Sequence, residues 1–585
     1  MDFTRVFDII DFQAFRYPQE VALAMYAHEN WTTFSTNQVL EKIEKISVGL
    51  LRMGLKKGDK IALIGKTGSP YWNILDFAAQ QIGVIVVPIL AGVVKYQMEY
   101  ILEESQCRHL FFHAKNDFEG YEYLQQHDFQ VFILQNDFYN FVFEASEEEK
   151  KSIAFLKKSI KPEDLATIIY TSGTSGEPKG VMLSHYNLVS NIKSILPLVP
   201  FMHGKTTLSF LPLSHIFERT ITFAYMAIGA NIHYTGGIEH LEVCLKSARP
   251  HYWSAVPRVL EKMYDKIIER REKSNFVTRW LIDFALRVGE DFEGRHKEDV
   301  FKQCRRFFAD ILVYRVWRKS LGGRVKGIMV GAAALQPRLS RLFSAAKIPI
   351  REGYGATETS PVVAFNRFEP GGSLFGTVGM AVPGVEIKID INEDYGNAEG
   401  EILVKGPNVM MGYFNKIEET AEVFTEDGWY KTGDIGHFVH KHFLKITDRK
   451  RDFFKTSTGK FISPQVIENQ LKTAVFIDQC MVFGLGKPHV VALIVPSFGV
   501  LKEWCEANKV HWTAPQFMVI NPKVEQFYKK LIAQLNENLE PFEHVKNFHL
   551  CYEEWSVGTD ELTPTLKIRR RIITDKFKLV LEKLY

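Results

Sequence analysis

The chain has 585 residues, 46% of them hydrophobic and 24% charged, with 72 basic against 69 acidic side chains and a net charge of +3. That near balance excludes a dedicated nucleic-acid binder, whose phosphate partner calls for a strong basic excess. The six cysteines, at 107, 244, 304, 480, 505 and 551, form no CxxC pair; this excludes a zinc ribbon or a disulfide framework and fits a reducing cytosol.

The opening MDFTRVFDII carries Asp2 and Asp8 and lacks the apolar centre of a secretory signal. Ser35 and Gln38 make a capping-box pattern ahead of a helix with Val39, Ile43, Ile46 and Leu50 on one face and Gly54 as its stop. Strand-like runs follow at Ile61–Ile64, Val84–Ile89, His109–Phe112 and Val131–Leu134, with helical stretches between them. This rhythm predicts α/β layers with largely parallel sheets. The most apolar window, residues 82–94, is broken by Pro88 and Gly92. It is shorter than the roughly 20 residues a bilayer span needs, and it reads as a buried strand and turn. Glu144–Lys151 reads as a solvated connection. Residues 258–320 are rich in helix formers, Arg and Lys, and predict two or three surface helices, with a basic membrane-facing patch as the alternative reading. Residues 376–446 turn to short strands and glycine turns, Thr447–Asp452 reads as an exposed charged joint, and a smaller α/β unit runs to the end.

One loop stands out. After the β-branched run Thr167–Ile169 comes YTSGTSGEPKG, from Tyr170 to Gly180. Glycines let a backbone turn tightly and approach a ligand closely. Thr171, Ser172, Thr174 and Ser175 add hydroxyl donors, Gly173 adds freedom, and Lys179 adds a positive charge. Such a loop suits a polyphosphate. It is not the P-loop of kinases and motor ATPases, because Pro178 precedes the lysine and no Ser or Thr follows it. Gly65-Lys66-Thr67 fails the same pattern, since position 60 is Lys.

Further motifs follow in order: LPLSHIFER (211–219), VPRVLEKMY (256–264), GAAAL (331–335), GYGATETS (353–360), YKTGD (430–434), DRKRDFFKTSTGKFISP (448–464) and TPTLKIRRR (563–571). Together with the loop they closely resemble the adenylate-forming superfamily, and their wording is most similar to long-chain fatty acyl-CoA synthetases. The helical insert at 258–320 is similar to the same branch.

The resemblance implies a fold, a reaction and roles. The fold is α/β: a large N-terminal domain of layered α/β sheets plus a β-barrel-like subdomain (1–447), a hinge (448–452), and a smaller mobile C-terminal α/β domain (453–585). The reaction converts a fatty acid and ATP into an acyl adenylate and pyrophosphate, then passes the acyl group to coenzyme A. The implied cofactors are ATP, Mg²⁺ and coenzyme A as co-substrate. The 171–179 loop would hold the β- and γ-phosphates. Thr357 would contact the α-phosphate, and Glu358, with Thr171, would help hold Mg²⁺, a hard cation suited to oxygen ligands. Gly331, Ala332, Ala333, Gly353 and Tyr354 would frame adenine, with the tyrosine ring stacking. Asp434 would accept hydrogen bonds from the ribose hydroxyls, and Arg449 would support the ribose.

Lys567 would bridge the fatty carboxylate and the α-phosphate during adenylation. Arg451 aligns with the pivot, where relatives carry Lys or Asp, and Lys455 and Gly459 would face the site in the thioester-forming state. His215, Phe217, Val256 and Pro257 match motifs that line the acyl entrance, and Trp253 stands just upstream. A dry tunnel would gain about 0.8 kcal/mol per buried methylene.

Several alternatives stay open. The acceptor could be an acyl-carrier protein, or the chain could be a silent fatty acid uptake or binding protein. A luciferase-like oxygenase is a third option. A solvated basic tail is the plain reading of Lys567 beside Arg569–Arg571, and ordinary linker charge that of Arg451. A cytoplasmic protein is expected, with peripheral contact on the inner face of a membrane left open, and a homodimer is compatible with the sequence. His437, His440 and His442 invite a metal reading, but on a strand His440 and His442 would share a face and His437 would point away. GYGATE and GLGKPH (484–489) both fail the dinucleotide fingerprint, and the opening loop holds no GxSxG elbow, so neither a hydride cofactor nor esterase chemistry is implied.

Overall fold

The computed structural model describes residues 2–585 except 127, 172–176, 201–202, 295–298, 393–394, 396–397, 458–459, 557 and 563–567, and of Tyr139 the backbone alone. Two compact units emerge: Met1–Ile387 with Val404–Tyr430 and His440–Leu444, and Lys388–Leu403 with Lys431–Val439 and Lys445–Tyr585.

The first unit holds two sheets. In one, the strands run in the order Gly412–Tyr413, Lys179–Ser184, Leu165–Thr171, Ile85–Leu90, Lys60–Gly65, His109–Phe112 and Gln130–Ile133. Its inner strands pair in parallel and are buried on both faces, which is why they read as unbroken apolar runs. The second sheet has the order Met380–Ala381, Val362–Phe365, Ile350–Gly355, Gly327–Val330, Tyr252–Ala255, Thr206–Ser209, Asn231–Tyr234, Leu23–Ala27 and Asn30–Phe34.

Local signals act as the sequence predicts at several points. The helix Thr36–Arg52 opens on the Ser35–Gln38 capping box and buries Val39, Ile43, Ile46 and Leu50. Gly54 follows at φ +87°, a conformation that costs glycine nothing. The insert forms the helices Pro257–Glu272 and Phe276–Glu290, then a helical run made of Val300–Ala309, a π turn at Asp310–Tyr314 and Arg315–Ser320.

Two expectations need correction. Glu147–Ser159 is a helix, and so takes in most of the run read as a connection. Ser146 and Glu149 close a capping box, three acids occupy the first turn and two lysines the last, which matches the helix dipole. The Thr447–Asp452 joint is not exposed throughout. The strand Phe443–Arg449 runs into it and Asp448 is buried, because its Oδ2 accepts hydrogen bonds from Ser463 Oγ at 2.6 Å and Gln465 N at 2.9 Å at the start of the helix Pro464–Leu471.

The second unit carries most of a four-stranded sheet, Glu386–Ile391, Gly400–Lys405, Tyr430–Val439 and Phe443–Arg449 in that order. It also holds a three-stranded sheet of Ile477–Phe483, Val490–Pro496 and Val545–Leu550, whose middle strand is wholly buried. Helices Pro464–Leu471, Phe498–Ala507 and Pro522–Asn536 contribute Ile467, Leu471, Leu501, Cys505, Val524 and Tyr528 to the core on this sheet. Among the described residues, no helix is long and apolar enough to cross a membrane.

Candidate active site

In the first unit the strand Leu165–Thr171 turns back as Lys179–Ser184, pairing Thr171 with Lys179 and Tyr170 with Gly180. Gly180 has no room for a side chain, since a Cβ there would lie 2.9 Å from Ile168 and 3.1 Å from the Tyr170 ring. Thr171 Oγ1 donates to the Lys179 carbonyl at 3.5 Å. Ser172, Gly173, Thr174 and Ser175 lie outside the described residues. The strand Gly412–Tyr413 pairs antiparallel with Lys179–Ser184 and sets Tyr413 opposite Val181. Lys179 Nζ then sits 5.0 Å from the centre of the Tyr413 ring, and the Tyr413 hydroxyl donates to Glu358 Oε1 at 3.0 Å. Burial and the neighbouring Glu358 push the Tyr413 phenol far above its ordinary range, so it stays a proton donor. The lysine of one motif and the glutamate of another, 179 residues apart, are thus joined by a tyrosine that sequence reading does not single out.

Glu358 and Thr357 stand on the short turn Thr357–Thr359, between the strands Ile350–Gly355 and Val362–Phe365. This elbow is held by neutral hydrogen bonds. Thr359 Oγ1 donates to the Pro361 carbonyl at 2.6 Å and accepts from Ala356 N at 3.0 Å. Asn408 Nδ2 donates to the Thr359 carbonyl at 2.8 Å. Asn191 clamps Val362 twice, Nδ2 to its carbonyl at 2.7 Å and Oδ1 from its N–H at 3.1 Å. Asn187 Nδ2 donates to the carbonyls of Pro407 and Val409 at 2.8 and 2.9 Å. Gly355 must be glycine, since a Cβ there would fall 1.7 Å from the Pro361 oxygen.

Gly331, Ala332 and Ala333 follow the strand Gly327–Val330, and Ala332 takes φ +71°. A Cβ on Gly331 would lie 3.1 Å from the Phe217 ring, so Phe217 rests against the segment implied to frame adenine. Gly353 and Tyr354 lie on the strand Ile350–Gly355, both half-buried.

His215 caps the helix Ile216–Ala227, its Nδ1 accepting from Phe217 N at 3.3 Å. The next two residues of the motif, which sequence reading passes over, tie the sheets together. Arg219 is fully buried and donates to Asp76 at 2.8 and 2.6 Å and to Thr167 Oγ1 at 2.8 Å. Glu218 accepts from Ser209 Oγ at 2.6 Å and from Ser254 Oγ, and burial pushes its carboxyl up to about 7. Val256 and Phe217 are half-buried at the edge of the apolar cluster that contains Trp253, while Pro257 starts the helix Pro257–Glu272. Trp253 itself is fully buried, its ring 5.8 Å from Phe210, as a core residue would be.

A separate cavity of about 240 Å³ opens beyond the strands Lys60–Gly65, Ile85–Leu90 and His109–Phe112, lined by Lys66, Gly92, Lys95, Asp117 and Tyr121 among others. It lies beyond the carboxyl ends of parallel strands, beside the point where the strand order reverses, the usual place for ligands in open α/β sheets.

In the second unit, Asp434 is nearly buried and Arg449 Nε lies 3.3 Å from its Oδ1. Gly433, at φ +70°, donates to Glu401 Oε1 at 3.1 Å, and Lys450 pairs with the other Glu401 oxygen at 2.6 Å. Arg451 is exposed, 3.9 Å from Asp452. Lys455 is exposed with Nζ 4.8 Å from the centre of the Phe461 ring, and Gly459 lies outside the described residues.

Lys567 also lies outside the described residues, but its flanks are tied. Leu562 bridges to Ile568, Arg569 N donates to the Glu561 carbonyl at 2.8 Å, and Arg570 makes a two-pronged pair with Glu468 at 2.7 Å on each oxygen. Glu468 also accepts from Val482 N at 2.8 Å.

The histidine run does not form the strand face expected of it. His440 and Lys441 sit in a turn with φ +49° and +71°, because the two strands reverse there, and His437 lies 3.0 Å from Glu399. Among the described residues, no group of three or more His, Cys, Asp or Glu could hold a metal ion.

The AMP-binding enzyme family matches residues 10–414, and the AMP-binding enzyme C-terminal domain matches residues 451–585. The chain is 30% identical to Long-chain-fatty-acid--CoA ligase FadD15 of Mycobacterium bovis, over 95% of this chain and 92% of that protein. It is 30% identical to human Long-chain-fatty-acid--CoA ligase 1 over 94% of this chain and 82% of that protein. In fold it is similar to the adenylation domain of a carboxylate reductase from Mycobacterium chelonae, with TM-score 0.75, 20% identity and coverage of 99% and 91%. ATP-bound MatB from Rhodopseudomonas palustris gives TM-score 0.70, 20% identity and coverage of 99% of both chains.

Proposed function

We propose how this chain, which belongs to the AMP-binding enzyme family, uses the residues above. It is an AMP-forming long-chain fatty acid–CoA ligase. In the first step a carboxylate oxygen attacks the α-phosphorus of ATP and pyrophosphate leaves. In the second, the coenzyme A thiol attacks the acyl carbon and AMP leaves with the bridging oxygen.

The observation that carries the reading is the convergence of Lys179, Tyr413 and Glu358 beside the hydroxyl-rich loop. Lys179 and Thr171, with Ser172, Thr174 and Ser175, bind the outgoing phosphates. Thr357 meets the α-phosphate, on an elbow whose backbone is already fixed. Such preorganised donors act on charge as it develops, without reorganising at the moment of reaction. Glu358 is a single carboxylate whose orientation is set by the Tyr413 hydroxyl. That fits Mg²⁺, which takes one or two carboxylates and completes its shell with water and phosphate oxygens. When bound, Mg²⁺ supplies charge neutralisation across those oxygens.

Tyr354 stacks on adenine between Gly353 and the 331–333 segment, and Asp434 takes the ribose hydroxyls with Arg449 beside it. His215 and Phe217 gate the acyl carboxylate, with Val256 and Pro257 on the tunnel side and Trp253 in the core behind them. Lys567 serves adenylation only. A rotation of the C-terminal domain (453–585) about Arg451 withdraws it and brings Lys455 and Gly459 to the thioester step.

The test offers purified chain, ATP, Mg²⁺ and radiolabelled palmitate with either coenzyme A or an acyl-carrier protein. The expected result is AMP in step with palmitoyl-CoA and no carrier labelling. Carrier labelling without palmitoyl-CoA, or no AMP from fatty acids of any chain length, would overturn the reading.

A further inference from the structure

A buried carboxyl at the start of the acyl-gate helix has no part in the chemistry described so far. Glu218 is the third residue of the helix Ile216–Ala227 and is wholly buried. Its Oε1 accepts from Ser209 Oγ at 2.6 Å and its Oε2 from Ser254 Oγ, and both serines are buried too. Among the described residues no cation pairs with it, because the adjacent Arg219 turns its guanidinium to Asp76 and Thr167.

A carboxyl in such a place costs more than an apolar side chain of similar size. What it supplies is direction. Its two oxygens meet two neighbouring parallel strands, Thr206–Ser209 and Tyr252–Ala255, which pair through Thr207 with Tyr252 and Leu208 with Trp253. Ser209 ends the first strand, and the chain leaves it through Leu211–Ser214 for His215. Ser254 lies near the end of the second, just ahead of Val256 and Pro257. One side chain thus ties the helix that carries His215 and Phe217 to both strand ends that lead to the acyl entrance.

The nucleotide side of the same helix is anchored by other groups. Thr220 Oγ1 donates to the Ser360 carbonyl at 3.3 Å, and Arg219 donates to Thr167 Oγ1 at 2.8 Å on the strand that enters the phosphate loop. Burial pushes the Glu218 carboxyl up to about 7, so both protonation states are populated near neutrality. Either state holds both serines: the ionised form accepts twice, and the neutral form accepts once and donates once. The position therefore supplies hydrogen-bond geometry rather than charge.

We propose that Glu218 is a positioning residue for the fatty acid: with Ser209 and Ser254 it fixes the spacing between His215 and Phe217 on one side of the acyl entrance and Val256 and Pro257 on the other. The inference rests on the ligase reading and adds a determinant of acyl affinity to it. The test is steady-state AMP release with palmitate and ATP varied in turn. Glu218→Ala should raise the KM for palmitate about tenfold and leave the KM for ATP within about twofold. Glu218→Gln, whose amide accepts from one serine and donates to the other, should return the palmitate KM to within about twofold of wild type. Ser254→Ala should raise it about threefold, and should add nothing in the Glu218→Ala background.

A merely structural defect leaves less folded enzyme, which lowers kcat for every substrate and leaves KM in place. A fall in kcat alone, an unchanged palmitate KM, or a Glu218→Gln chain as impaired as Glu218→Ala would overturn the proposal. Should Glu218→Ala fail to fold, Ser254→Ala decides: a raised palmitate KM with the ATP KM unmoved supports the role, and an unchanged palmitate KM overturns it. Equilibrium dialysis of radiolabelled palmitate against the full chain should show the same order of effects in Kd. Dialysis needs no turnover, so a wild-type chain that forms no AMP would count against the ligase reading while dialysis still judges Glu218.

Discussion

The elbow at Gly353–Pro361 and the segment around Ile568–Arg571 are held by opposite means. At the elbow, Asn191, Asn408 and Thr359 satisfy the backbone with neutral hydrogen bonds in a buried place. Around the second segment, described contacts are dominated by charge: Arg570 on Glu468, Arg569 on Asp560 and Lys576 on Glu561. Neutral amide networks fix a geometry tightly, because each orphaned group costs its full desolvation. Only Arg569–Asp560 has both partners partly exposed and can be exchanged for water at little cost. Glu468 and Glu561 are buried, so their pairs hold firmly, because breaking one leaves an uncompensated charge. The elbow is thus fixed without charge, and the flanks of a lysine that serves one half-reaction by ion pairs within its own unit.

The largest expected effect breaks the second region. Lys567→Ala should slow palmitate-dependent pyrophosphate exchange by roughly 10²–10³. Transfer of preformed palmitoyl-AMP to coenzyme A should stay within a few fold of wild type. Equal losses in the two assays would erase the distinction between the regions. A smaller effect comes from the elbow. Asn191→Leu leaves the Val362 N–H and carbonyl without their buried partner. At about 1–3 kcal/mol for each orphaned group, it should lower the unfolding midpoint and slow both half-reactions together. Slowing of only one would mean that the elbow is not shared between them.

The same contrast explains what the sequence makes legible. The Ser35–Gln38 box, the parallel strands and the motif loops are local patterns, and the structure forms them where the pattern lies. The Ser146–Glu149 capping box is also local, but three successive glutamates and two lysines disguise it as a solvated run. Asn191, Asn408 and Tyr413 act on residues 171, 49 and 55 positions away in sequence, so nothing beside them announces their partners. Glu218 and Arg219 stand in a recognised motif, yet their partners Ser254, Asp76 and Thr167 come from other strands and helices. Asp448 looks like surface charge because the helix start it caps begins 15 residues later. The His440–His442 spacing suggests a strand face until the reversal at His440 and Lys441 is seen.

The central claim is that the fatty carboxylate itself attacks the α-phosphorus and that a thiol then displaces AMP. Palmitate labelled with heavy oxygen in its carboxylate tests this in one mass spectrum. The label should appear in AMP, one atom for each palmitoyl-CoA formed. Label in inorganic phosphate or pyrophosphate, or none in AMP while palmitoyl-CoA accumulates, would contradict the account.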